Sequence, residues 1–140
     1  MKKRGWLIPV LIVLVNAFVI LLMWNALPET LPAHFDLQGN ASGSMPRGTL
    51  PYYPLAGAVV CGLAYAAARI VSSRSKNKAM ADGLRSGLII LAAGIALVIF
   101  SSTMVTLTSG TMPVFMLAEP VILVAALVAF VICLAKARKK

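Results

Sequence analysis

Four uninterrupted apolar runs constrain this chain more than any other feature: Trp6 to Trp24, Tyr52 to Val71, Gly87 to Leu107 and Val114 to Ala135. Coiled as a helix at about 1.5 Å per residue, each is long enough to cross a hydrocarbon core about 30 Å thick. A membrane β-barrel would show alternating segments of about ten residues, and these runs of Leu, Ile, Val and Ala do not alternate. With 60% hydrophobic and only 12% charged residues, the chain lacks the polar surface to clothe a water-soluble globule. The sequence therefore predicts an all-α polytopic membrane protein. Its single membrane domain, 1–140, is a bundle of four transmembrane helices over about 6–24, 52–71, 87–107 and 114–135.

The formal charge of +9 is distributed by topology. Lys2, Lys3 and Arg4 precede the first run, Arg69, Arg74, Lys76, Lys78 and Arg85 separate the second from the third, and Lys136, Arg138, Lys139 and Lys140 follow the fourth. Arg47 alone falls on the other side. This is the positive-inside pattern, which predicts cytoplasmic N and C termini in a cell membrane and an extracytoplasmic loop over 25–51. The cations also favour anionic head groups of the lipid bilayer. Direct nucleic-acid binding is excluded from the reading, since no aromatic residues are interleaved with the basic ones.

The first run follows a basic segment, as in a signal peptide. It is longer than an ordinary signal core, and Trp24-Asn25-Ala26-Leu27-Pro28 offers no small-x-small cleavage site, so an uncleaved helix is expected. Cys61 and Cys133 differ in depth by about 15 Å at helical rise, beyond the roughly 7 Å a disulfide spans. They read as packing residues. Small residues recur along two stripes, Ala58, Gly62 and Ala66 on the second helix and Gly83, Gly87, Gly94 and Ser101 on the third. In lipid, such stripes let helices approach closely, so both are expected at helix contacts.

Polar groups inside hydrocarbon are costly and draw attention to Asn16, Ser101 and Glu119. Together with Ser102, Thr103 and Thr106 they fall about 9 to 12 Å from the outer helix ends, which predicts a shared outward-facing polar cleft. Glu119 also precedes Pro120, whose missing N–H releases a carbonyl one turn earlier and predicts a kink.

The 25–51 loop is long for a bundle connection, and such loops commonly carry function. Pro28 and Pro32 fix two φ angles and push Leu27 and Leu31 to extended geometry. Phe35 and Leu37 are apolar enough to lie on the bundle, and Gly39 to Ser44 reads as turns with at least one positive φ. His34, Asp36 and Glu29 supply too few donors for a metal site, and no nucleophile motif accompanies them. The expected role is binding rather than catalysis, with no metal and no cofactor. An imidazole held by Asp36 or by backbone carbonyls would fix the loop shape.

The spacing Trp24-x-x-Leu27-Pro28-x-x-Leu31-Pro32-x-His34-Phe35-Asp36-x-x-Gly39 resembles the pattern that marks the N-terminal domain of unknown function in SdpI-like membrane proteins, a bacterial toxin-immunity family. The resemblance covers about 6–60. Ser42 stands where the family tends to have aspartate, and Ser44 where an aromatic residue is usual. The resemblance implies toxin immunity; joined to the chemistry of the loop, it gives an integral membrane binding or sensing protein whose external loop is the recognition surface, with Glu29, His34, Phe35, Asp36 and Arg47 as candidate contact residues. It further implies a toxin peptide as partner at that loop, and a cytoplasmic repressor held at the basic loop 69–85. The alternative from another class is a small proton-coupled exporter that forms a homo-oligomer and uses Glu119 as its carrier carboxylate.

Overall fold

Hydrocarbon supplies no water to a free N–H or C=O, so a spanning segment has to satisfy its backbone internally, and the helix does so within one segment. A computed structural model describes residues 3–36, 40–109 and 113–138 of the protein. Four helices follow the four apolar runs: α1 Leu7–Met23, α2 Tyr52–Arg74, α3 Lys78–Leu107 and α4 Pro113–Arg138. All four are long and apolar enough to cross a membrane. Their outward faces are hydrocarbon, with Leu7, Leu11, Leu14, Phe18 and Leu21 exposed on α1 and Val121, Val124, Val128 and Val131 on α4. Apolar exposure continuous over whole helices is untenable in water and ordinary in lipid. The protein is a multi-pass, all-α membrane protein.

The third helix is longer than its apolar run. It begins at Lys78, where the Asn77 side chain caps the helix by accepting from the Met80 N–H at 3.1 Å. Thirty residues at helical rise extend about 45 Å, so α3 overshoots a hydrocarbon core by about 15 Å. The overshoot carries Lys78, Asp82 and Arg85 and lies at the basic end of the bundle.

The two small-residue stripes have different fates. On α3, a Cβ at Gly83 or Gly94 would collide with Ala137 or Ala126 of α4, and one at Gly87 would enter the Phe130 ring. These glycines are the seam along which α3 and α4 approach. On α2 the expected stripe is corrected: Ala58, Gly62 and Ala66 are exposed, and a Cβ at Gly62 would meet nothing within 4 Å. The buried face of α2 is instead Pro54, Gly57, Cys61 and Ala68, offset by one residue, or about 100° of helix. Small-residue periodicity identifies a smooth face without saying whether protein or lipid covers it.

Two apolar clusters hold the bundle. Trp6, Cys61, Ala68, Ile89 and Ala92 pack from the middle of α2 and α3 toward the basic end. Ile20, Leu27, Leu31, Leu50 and Leu107 pack at the other end, joining the ends of α1 and α3 to the start of α2 through the long loop.

Candidate functional site

The long loop is a β-hairpin rather than a succession of turns. Strands β1, Thr30–Phe35, and β2, Ala41–Pro46, pair antiparallel with Leu31 opposite Met45 and His34 opposite Ser42. Leu27 ahead of Pro28 is extended, at φ −81° and ψ 139°, and Leu31 ahead of Pro32 lies in β1, as proline demands of its predecessor. Neither strand has high β propensity, so burial supplies the register. Leu31 sinks into the cluster at the end of the bundle away from the basic residues and Met45 packs against it, which turns the alternate residues Thr30, His34, Ser42 and Ser44 to solvent. The expected positive φ is at Gly43, φ 73°, where a side chain would be strained. Pro32 and Pro46 have no N–H to offer, which blunts the hairpin edges against pairing with another strand.

Arg47 closes the base of the hairpin. Its backbone N–H donates to the Glu29 carbonyl at 2.9 Å, and its guanidinium donates to the Leu27 carbonyl at 3.4 Å. The same guanidinium lies 5.3 Å from the centroid of the Trp24 ring, within cation–π range. Arg47 therefore ties the hairpin base to the end of α1. Trp24 was visible in the sequence as part of the proline-rich pattern, but its pairing with Arg47, 23 positions away in sequence, had no local signal.

At the far end of the hairpin, Asp36 holds Asn40. One carboxylate oxygen accepts from the Asn40 backbone N–H at 2.8 Å and the other from its side-chain amide at 3.0 Å, while the Asp36 N–H donates to the Asn40 carbonyl at 3.0 Å. The expected His34–Asp36 pairing is thus replaced by a clamp between Asp36 and Asn40 across the turn. His34 is exposed beside Gly43, its ring 3.8 Å from where a Gly43 Cβ would stand. Phe35 is half-buried and Glu29 exposed, while Leu37 and Gly39 lie outside the described residues. The structure brings Glu29 and Arg47 together through the backbone, and sets His34 apart on the solvent face.

Among the intramembrane polar residues, Ser102 and Glu119 meet across two helices. The Ser102 hydroxyl donates to a Glu119 carboxylate oxygen at 2.8 Å, joining α3 to α4. Ser101, the neighbour singled out from sequence, is buried one position round the helix. Thr103 donates to the Ile99 carbonyl of its own helix at 2.9 Å. Asn16 is buried, and its side-chain oxygen has no hydrogen-bond partner. Within the expected common cleft, Ser102 and Glu119 are joined by a hydrogen bond across α3 and α4, while the Asn16 side-chain oxygen takes no part in one. No three of the described His, Cys, Asp and Glu side chains come together as metal ligands.

Neither a curated protein nor a solved structure matches the chain. Residues 6–55, which take in α1, the hairpin and the start of α2, match the model of a domain of unknown function (DUF1648).

Proposed function

We propose that the protein is a non-enzymatic membrane binding or sensing protein whose external hairpin is a preformed recognition surface, similar in kind to SdpI-type immunity proteins. The observation that carries this reading is the two-sided hairpin. One face is anchored through Leu31 and Met45 in the cluster around Leu50, and the other presents His34, Ser42 and Ser44 to solvent. A surface held rigid by a proline-stiffened backbone, the Arg47 latch and the Asp36–Asn40 clamp loses less conformational freedom when a partner docks. The cation distribution supports cytoplasmic termini and an external hairpin. The partner that the resemblance to SdpI-type immunity proteins implies is a toxin peptide.

The test is protection or partner affinity at matched expression. His34→Ala should weaken binding by about 1 to 3 kcal/mol, the cost of a polar partner left unpaired. Folding and insertion should be unchanged, because no packing contact of the bundle depends on an exposed imidazole. Equal protection by wild type and variant would make the hairpin a connector and remove it as the recognition surface.

The exporter reading rests on Glu119. Its hydrogen bond to Ser102 supports a structural role instead, since a hydroxyl donor satisfies the carboxyl oxygen within the bundle and staples α4 to α3. Glu119→Gln keeps an oxygen acceptor for Ser102 while abolishing proton exchange. We expect this variant to retain stability and protection. A folded Glu119→Gln protein that has lost proton-linked export would move the function from the hairpin to the carboxylate.

A further inference from the structure

We propose that the groove between α1 and α2 holds one acyl chain of an anionic glycerophospholipid, whose phosphate is met by Arg69. The groove exists because the smooth face of α2 turns away from the bundle. Gly62 and Ala58 form one wall, Val10 and Leu14 of α1 the other, and the space between them, open along one side, is about 450 Å3. An apolar cavity of this kind does not hold water and takes an apolar guest. In a membrane the available guest is a hydrocarbon chain.

The basic end of the groove specifies which lipid. Trp6 and Tyr65 meet there edge to face, with ring centroids 5.3 Å apart and planes at 84°. Both line the groove, and both belong to the residue types that settle at the head-group level. Arg69 follows Tyr65 by four residues, which sets it on the same helix face one turn nearer the polar boundary, and it is exposed. Beyond it lie Arg74 at the end of α2, Lys76 in the connection and Lys78 at the start of α3. An apolar slot closed by an aromatic pair and followed by an arginine matches a molecule with a hydrocarbon tail and a phosphate head. A second copy of the chain matches less well. Copies inserted with the same topology would bring their basic ends to one level, placing cation against cation.

The experiment uses the whole protein carrying Trp24→Phe, so that Trp6 is the sole tryptophan, in phosphatidylcholine vesicles containing a fixed fraction of acyl-brominated lipid. Brominated phosphatidylglycerol should quench Trp6 more strongly than brominated phosphatidylcholine of the same chain length. Arg69→Gln should abolish that excess. Gly62→Leu should plug the groove and also abolish it. Because a Cβ at Gly62 meets nothing, this variant should remain folded, as judged by its helical circular dichroism and thermal transition. Equal quenching by the two lipids in the Trp24→Phe protein would overturn the proposal, as would an excess that survives Gly62→Leu. Efficient disulfide formation between two copies carrying Gly62→Cys would also overturn it, by giving the groove to a second protomer.

Discussion

Introducing leucine at both Gly87 and Gly94 should separate α4 from α3 and lower stability by about 2 kcal/mol, somewhat less than twice the mid-range net cost at one site. The seam has no room for a side chain, since a Cβ at Gly94 would occupy the place of the Ala126 methyl and one at Gly87 that of the Phe130 ring. Overpacking costs about 1 to 3 kcal/mol per site. Removing a mid-helix glycine returns about 0.5 to 1 kcal/mol of that. The two positions are seven residues, or about 10 Å, apart on one seam, and because a shift of α4 that relieves one also relieves the other, their joint cost should fall below twice the single-site cost. Lipid provides no hydrophobic force to push the helices back together, and packing loss translates directly into dissociation. Equilibrium unfolding in mixed micelles reads the stability. Cross-linking between cysteines placed on α3 and α4 reads the separation. The control is Gly62→Leu on α2, where the open space at the lipid face predicts no loss. A double variant as stable as wild type would mean that the seam is not what holds α4.

What could be read from sequence follows the strength of the physical constraint. The four helices were legible because bilayer thickness and backbone satisfaction leave a long apolar run no other form. The start of α3 was hidden by Lys78, Asp82 and Arg85, which break the apolar run without breaking the helix. Asn77 was the available signal there, a capping residue whose acceptance from Met80 N–H marks the true start. The stripe on α3 was read on the right face and the stripe on α2 on the wrong one, because a smooth helix surface suits another helix and a lipid chain alike. In the hairpin, the extended geometry at Leu27 and Leu31 was dictated by the following prolines and was legible. The strand pairing was not. Ala41-Ser42-Gly43-Ser44-Met45-Pro46 contains little that favours a strand, and its register comes from Met45 meeting Leu31 in a cluster assembled from three helices. The Asp36–Asn40 clamp and the Trp24–Arg47 stack were likewise invisible. Each is a meeting of particular side chains, Asp36 with Asn40 across the turn and Arg47 with the Trp24 ring.

Leu50→Ala should release the hairpin from the bundle, with a cost of about 2 to 5 kcal/mol, the range for a large-to-small change in a core. Leu50 is completely buried at the entry to α2, and Leu31 of β1, at 2% exposure, lies in the same cluster. The cavity left at Leu50 therefore opens directly beneath the strand that carries His34. By comparison, the Arg47 latch is the weaker attachment: a partly exposed cation–π contact is worth about 0.5 to 1 kcal/mol, and its bond to the Leu27 carbonyl is long at 3.4 Å. The hydrophobic anchor should decide the position of the hairpin, and Arg47→Ala should loosen it less than Leu50→Ala. Amide exchange separates the two, since anchor loss should raise exchange across β1 and β2 while leaving the middle turns of α1 and α3 protected. If the hairpin recognises a partner as a preformed surface, the same variant should weaken binding even though Leu50 cannot touch the partner, because the ordering cost moves into the binding step. Faster exchange in β1 and β2 with undiminished binding would show that recognition does not require a preformed hairpin. Unchanged exchange would show that the cluster around Leu31 and Leu50 is not its anchor.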